Sequence, residues 1–348
     1  MIVSFLRSWL GARERPVTET FCGIGPFAND AEMHGAIAAL SDQRLLQVAE
    51  ACAPVASLTR VPGWTFGGCL VNPTPAQRFR YALWNAFRER KLLSAIVYPW
   101  LHDVKLNLYV GNDISLPTFV SGIIDPNEFY LLDRFLQEGM TVLDVGANEG
   151  FYTVFAAKRV GQTGRVIAFE PSDRELQRLI RNVDLNHFSN VTLEEIGLAN
   201  CDEHAMLRVC EYGHEGQNTL GGFAYDVAQA ETRVIRLRSL DAYLEDHPAD
   251  RVDLIKVDVE GAEERVFRGA RQTLERFRPL VLFEMNEQSL QLQGSCCRNV
   301  ADVLQSAGYC LFSFASATGA LTRALVGVYS DNVVAIHHDN VSSVLPLD

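Results

Sequence analysis

Apolar residues along this chain change their spacing twice, and each spacing predicts a different kind of element. From Asp30 to Ala53 and from Pro75 to Trp100 they recur at helical intervals, as in Leu45, Val48, Ala49 and Cys52, or Phe79, Leu83, Phe87 and Leu92. Ser41 with Asp42 reads as a cap inside the first stretch, and Pro75 suits a first helical turn. Between them, Pro62-Gly63-Trp64-Thr65-Phe66-Gly67-Gly68 is a turn-rich loop carrying aromatics. The pattern then becomes alternation over Lys105–Val110, and Gly111-Asn112-Asp113 followed by Ile114–Val120 predicts a hairpin. A helix over 126–137 leads into short apolar runs at 141–145, 165–169, 190–196, 252–257, 279–283, 309–314 and 332–336, most of them separated by helical stretches. Apolar strands alternating with helices predict a parallel sheet covered on both faces, and the nearness of the last two runs predicts a closing hairpin. Residues 1-103 are thus expected to form a mostly helical accessory region, and 104-348 an α/β domain.

The tips of these strands carry the polar chemistry. Val142-Leu143-Asp144-Val145-Gly146-Ala147-Asn148-Glu149-Gly150 ends an apolar run in an acid and two glycines, which permit a tight strand-to-helix turn and close backbone approach to a ligand. The next run ends at Phe169-Glu170-Pro171, and a carboxylate about twenty residues beyond such a turn suits both hydroxyls of a ribose. A dinucleotide site would place a second glycine where Asn148 stands. A polar turn above Asp144 suits instead a nucleoside that carries an amino acid, and S-adenosyl-L-methionine is such a ligand.

A second run, Val252-Asp253-Leu254-Ile255-Lys256-Val257-Asp258-Val259-Glu260-Gly261-Ala262-Glu263, places a lysine and several acids where a buried parallel strand should be apolar. Ligands of open α/β sheets bind at these carboxyl ends. Glu263 reads equally well as a charge at a helix start. A third run ends in Glu284-Met285-Asn286, so adjacent strands would bring Glu284 and Asn286 beside Asp258. The stretch from His204 to Arg238 reads as two strands joined by a glycine-rich flap over 213–222. His214 in that flap is a candidate base, and Asn218, Thr219, Glu260 and Asn286 are candidate acceptor contacts.

Composition narrows the class. The net charge of −12 argues against a nucleic-acid partner, which needs clustered Lys and Arg. The eight cysteines show no C-x-x-C pair and no histidine at ligand spacing, so a metal is not expected, and reduced thiols in a cytoplasmic protein are. No run is long enough to span a bilayer; Phe5, Leu6, Trp9 and Leu10 read as a helix docking on its own domain rather than a surface anchor.

The run Val142–Gly150, then Ala168-Phe169-Glu170-Pro171, Asn182, Gln217-Asn218-Thr219, Ile255-Lys256-Val257-Asp258-Val259-Glu260-Gly261-Ala262-Glu263, Arg278-Pro279 and Asp331-Asn332-Val333-Val334-Ala335-Ile336 resembles the FkbM family of S-adenosylmethionine-dependent methyltransferases. The resemblance covers roughly 105–337 and implies the class I Rossmann-like methyltransferase fold, a seven-stranded sheet with one antiparallel strand and helices on both faces. It implies that Asp144, Gly146, Ala147, Asn148 and Gly150 line the methionine part of the cofactor, that Glu170 and Pro171 border the ribose, and that Gly197 lies by the adenine. Asp258 would face both methyl donor and acceptor, with Lys256, Glu284 or His214 orienting the acceptor or taking its proton. The expected product is S-adenosyl-L-homocysteine. Hydroxyl methylation of a small or carrier-bound molecule in secondary-metabolite or glycan biosynthesis leads, because the family mostly works on hydroxyls. The absence of an Asn/Asp-Pro-Pro-Tyr run after the fourth strand weakens methylation of nucleic-acid bases. N-methylation of an amide side chain in a ribosomally made peptide is the alternative, with the first hundred residues as peptide holder; homodimerisation is the competing role for that region. A binding-only nucleoside protein would not need Lys256, Asp258 and Glu284 at one edge.

Overall fold

The computed structural model describes residues 19–65, 72–325, 327, 329 and 331–347, so Phe5 to Leu10 and Phe66 to Gly68 lie outside the described residues. The chain forms two compact units: residues 1–58, 64–126 and 212–214, and residues 59–63, 127–211 and 215–348. Residues 104–126 therefore group with the N-terminal region rather than with the sheet that follows.

In the first unit, helices Asp30–Ala38, Asp42–Cys52 and Pro75–Glu89 follow the predicted periodicity, and Leu45, Val48, Phe79, Leu83 and Phe87 are fully buried. Ser41 caps the second helix by accepting from Arg44 N, and Thr74 and Gln77 form a reciprocal capping box ahead of Pro75. The third helix stops earlier than the apolar spacing predicts. Lys91 turns into the left-handed region at φ 52° and Leu92 N donates back to Phe87 O, closing the helix end. Strand β1 (Ile96–Pro99) then pairs with β2 (Lys105–Leu108) in an antiparallel ribbon. The expected hairpin at Gly111-Asn112-Asp113 is absent, and its second arm is a helix, Ser115–Ser121. Asn112 Oδ1 accepts from Ser115 N at 2.8 Å, and Leu116, Phe119 and Val120 bury at helical spacing, so a side-chain bond to the backbone starts a helix where β-branched content suggested a strand.

The second unit is built on one large sheet. Its strands are β3 (Thr141–Val145), β4 (Arg165–Phe169), β5 (Val191–Glu194), β9 (Leu254–Val257), β10 (Leu280–Glu284), β11 (Tyr309–Phe314), β12 (Leu321–Arg323) and β13 (Asn332–His337). A smaller sheet holds β6 (Gly197–Leu198), β7 (Glu203–Cys210) and β8 (Gln229–Arg238). The large sheet runs β12-β11-β13-β10-β9-β3-β4-β5. Strands β5, β4, β3, β9 and β10 are mutually parallel, and β13 is antiparallel to both β10 and β11. The expected seven strands are present, with an eighth added: β12 is three residues long and antiparallel to β11, too short and polar to show a period. The predicted run at 190–196 is shorter in the structure, with β5 ending at Glu194, and the next strand, β6, joins the smaller sheet.

Alternation assigns the faces. Leu143, Val145, Ile167, Phe169, Ile255, Val257, Val281 and Phe283 share one apolar cluster with Leu240, Phe267, Leu274, Leu290 and Leu304 from five helices. Residues 142, 144, 254 and 256 therefore point to the opposite face. Helix Phe151–Val160 packs against β3 and β4, and none of its residues belongs to that first cluster, so the sheet is covered on both sides. Among the described residues no helix is long and apolar enough to cross a membrane.

Candidate active site

Register puts the first pair of charges in place. Asp144 on β3 stands directly across from Lys256 on β9, on the face opposite the apolar cluster. Both are buried, and neither charge is left to an apolar wall. Thr153 Oγ1 donates to Asp144 Oδ2 at 2.6 Å, while Asp144 Oδ1 has no hydrogen-bond donor and lies 4.0 Å from Lys256 Nζ. Lys256 Nζ donates to Gly146 O at 3.3 Å and Asp258 Oδ2 at 3.2 Å, and stands 4.9 Å from the centre of the Tyr152 ring. Lys256 therefore ties the glycine turn to the end of β9.

The glycine turn is demanded first by the protein's own backbone. A Cβ on Gly146, which sits at φ +74°, would lie 1.8 Å from Asp258 O, and one on Gly150 would lie 2.3 Å from Leu179 Cδ1. Between them, Asn148 takes φ 50°, a region asparagine tolerates better than most residues. Its side chain donates to Glu215 O at 3.0 Å and accepts from Glu149 N at 2.8 Å, holding the turn's shape. Gly146 N and Ala147 N both donate to Phe169 O, joining the turn to β4.

Glu170, at the tip of β4, receives Asn148 N on Oε2 at 2.8 Å and Ser172 N on Oε1 at 2.9 Å. Burial nevertheless dominates, and with Glu175 nearby it pushes the Glu170 carboxyl up to about 8. Pro171 and Gly197 are brought together, with a Cβ on Gly197 falling 3.7 Å from Pro171. A cavity of about 480 Å³ beside them is bordered by Asp173, Glu195 and Arg233.

At the ends of β9 and β10 the carboxylates crowd one another. Oxygens of Asp258, Glu260 and Glu284 all lie within 4.8 Å of each other. Glu284 Oε2 is buried without a hydrogen-bond partner, and burial followed by Glu260, Asp258, Glu263 and Asp331 holds its carboxyl well above the ordinary range. Three carboxylates at this spacing are also the geometry that accommodates a cation. Glu263 is the exception, since its Oε1 accepts from Val259 N and Gly261 N at 3.2 Å and so braces the turn. Asn286 caps helix Glu287–Leu292 through Oδ1, accepting from Gln288 N and Ser289 N, and its Nδ2 donates to Tyr225 Oη at 3.1 Å. Tyr225, whose hydroxyl burial pushes up to about 12 with Glu284 and Glu260 adding to it, is a neighbour of this cluster that the sequence reading missed.

The glycine-rich segment is tied down more than a free flap would be. Its two strands, β7 and β8, pair antiparallel, but the connection runs over 211–228, longer than predicted. Asn218 Oδ1 accepts from Cys210 N at 3.0 Å, and Thr219 Oγ1 donates to Glu260 O at 2.9 Å, so both serve the chain's own backbone. His214 groups with the first unit instead: Nδ1 lies 2.8 Å from Asp113 Oδ2 and Nε2 lies 2.6 Å from Arg88 Nη2. Both ring nitrogens therefore have partners within the first unit. A second group missed from sequence is Arg178, buried and paired with Glu149 and with Glu215 at 3.2 Å, behind the glycine turn. Its partners are 29 and 37 residues away, so no local pattern announces it.

Five parallel strands with the order β5-β4-β3-β9-β10, followed by a reversed β13 and then β11, define the class I Rossmann-like methyltransferase fold. Residues 144–311 match the methyltransferase FkbM domain. Residues 84–197 also match the protein-L-isoaspartate (D-aspartate) O-methyltransferase family. Among curated proteins, Methyltransferase 1 of Beauveria bassiana is 31% identical over 37% of this chain and 57% of its own length. The AMB antimetabolite synthetase AmbE of Pseudomonas aeruginosa is 26% identical over 57% of this chain and 11% of its own length. The chain thus spans little more than half of one relative and a small part of the other. Among solved structures, the methyltransferase FkbM of Methylobacillus flagellatus aligns with 90% of this chain and 63% of its own at 14% identity and TM-score 0.37. The Bacillus cereus O-methyltransferase solved with SAH aligns with 62% of this chain and 83% of its own, at 13% identity and the same TM-score of 0.37.

Proposed function

We propose that this protein transfers the methyl group of S-adenosyl-L-methionine to a neutral hydroxyl of a small or carrier-bound metabolite, leaving S-adenosyl-L-homocysteine. The observation that carries this reading is the meeting, on adjoining strand ends of one sheet, of a glycine turn, a ribose-type carboxylate at Glu170 and the crowded acids Asp258, Glu260 and Glu284. The residues fit the cofactor: Asp144 Oδ1 is a buried acceptor lacking a donor, and helix Phe151–Val160 starts at Gly150 with no side-chain cap bond. Asp144, Gly146, Ala147, Asn148 and Gly150 would border its amino-acid end, Glu170 its ribose, and Pro171 and Gly197 the approach to its base. When bound, it supplies a methyl already activated on a sulfonium. The protein's remaining work is alignment, exclusion of water and removal of one proton.

Glu284 suits that last task. A carboxyl whose affinity for protons is raised by burial and by its neighbours is better matched to a hydroxyl proton than an exposed one. Asp258, held by Lys256, orients the acceptor beside it. The acids around this point repel carboxylates and phosphates, which favours a neutral acceptor. The antimetabolite synthetase name among the matches agrees with a role in secondary metabolism. We assign residues 1–103 the role of accessory region holding the acceptor.

Calorimetric titration tests the class: S-adenosylmethionine should bind and NAD should not, and preference for NAD overturns the reading. Co-expression with neighbouring biosynthetic genes, followed by mass spectrometry and fragmentation of products, tests the acceptor. A methyl on hydroxyl oxygen supports the proposal, and a methyl on an amide nitrogen of a peptide replaces it.

A further inference from the structure

Two thiols that lie 30 positions apart in the sequence meet in the first unit: Cys22 Sγ and Cys52 Sγ are 3.0 Å apart. Their backbones are fixed by bonds that do not involve sulfur. Cys22 sits in a tight turn closed by Phe21 N to Ile24 O (2.8 Å) and Ile24 N to Phe21 O (2.9 Å), and Phe21 stacks on Phe79 at 4.6 Å. The Cys22 carbonyl accepts from Arg44 Nη2 at 3.2 Å. Cys52 ends the helix Asp42–Cys52, and its carbonyl accepts from Arg80 Nη1 at 3.5 Å. Both cysteines are half-buried. The scaffold brings the sulfurs together whether or not they bond.

We propose that Cys22 and Cys52 form an oxidative modification site, a disulfide that staples the 21–24 turn to the end of helix Asp42–Cys52. The reading of all eight cysteines as reduced then fails for this pair under oxidising conditions. With glutathione disulfide as oxidant, the Cys22 sulfur attacks one glutathione sulfur and releases the first glutathione. The Cys52 sulfur then attacks the Cys22 side of the mixed disulfide and releases the second. Two protein thiols are oxidised, one glutathione disulfide is reduced, and the two thiol protons end on the glutathiones. Burial and the neighbouring Cys22 push the Cys52 thiol up to about 12, so Cys52 is the slower attacker and acts in the second, intramolecular step.

The test uses the full chain equilibrated in glutathione redox buffers, with remaining thiols alkylated and the protein digested without reduction. Mass spectrometry should find a peptide joining Cys22 to Cys52, two hydrogens lighter than its parts and released by dithiothreitol. Oxidation should raise the thermal midpoint by several degrees in the parent protein and not in Cys52→Ser, because the cross-link closes a loop of the unfolded chain. Full alkylation of both residues in oxidising buffer, or a cross-link confined to another pair such as Cys296 and Cys297, overturns the proposal. The digest of the parent protein decides this even where a serine variant fails to fold.

Discussion

The two ends of the edge formed by the strand tips hold their carboxylates in different ways. At β3 and β4 donors from the chain's own backbone and side chains reach the acids: Thr153 at Asp144 Oδ2, with Oδ1 left without one, and the amides of Asn148 and Ser172 at the two oxygens of Glu170. At β9 and β10 the acids meet each other, with Lys256 serving Asp258 and no donor at Glu284 Oε2. Donors fix a carboxylate's orientation in advance of a ligand, whereas crowding raises its hold on a proton. Burial overrides the difference in part, since Glu170 is raised to about 8 despite its two amides. The contrast is one of geometry and partners more than of charge. On the function proposed above, one end would hold the cofactor and the other would handle the proton.

The largest test removes the joint between the two ends. Gly146→Ala places a Cβ 1.8 Å from Asp258 O at a left-handed φ. We expect destabilisation of about 3 kcal/mol or more and loss of S-adenosylmethionine binding, read by thermal melting and calorimetry. A stable variant with normal affinity would show that the two ends are not mechanically linked. Next, Asp258→Ala should cut turnover by about 10²-fold or more while cofactor binding stays measurable; full activity would remove Asp258 from the acceptor side. Glu170→Gln should act at the other end alone, weakening cofactor affinity about 10- to 100-fold with saturated turnover little changed.

The smallest effect is a pH dependence of the empty protein. Glu284 and Glu170 bind protons more tightly folded than unfolded, so the stability they contribute is fully present below their ordinary 4.5 and is lost as pH rises through the raised folded values, about 8 for Glu170. Thermal midpoints should therefore fall across that window. Glu284→Gln should flatten part of the slope and be the more stable protein at its alkaline end, by about 1 kcal/mol. A steeper slope in the variant would mean that Glu284 is ionised and braced in the folded state.

The strand tips were legible because a buried parallel strand must be apolar, so an acid at its end stands out. Asp144, Glu170, Asp258 and Glu284 emerged this way, and their strands lie where the runs predicted. Asn148 and His214 show the limit of that reading. The Asn148 side chain bonds to Glu215 O and Glu149 N, and Asp113 and Arg88 hold both nitrogens of His214, partners that no local pattern announced. Similarly, alternation at 104–120 suggested two strands, while Ser115 N, donating to Asn112 Oδ1, opens a helix.

By itself the sequence determined the succession of the main sheet's apolar strands, the acids at their tips and the resemblance to a family, since each is written in local period or in a contiguous motif. Only the tertiary structure decided why Gly146 must be glycine, which carboxylates have donors and which have each other, and that Cys22 meets Cys52. Those facts depend on partners from distant parts of the chain, and a one-dimensional pattern holds no record of which residues folding will bring within a few ångströms.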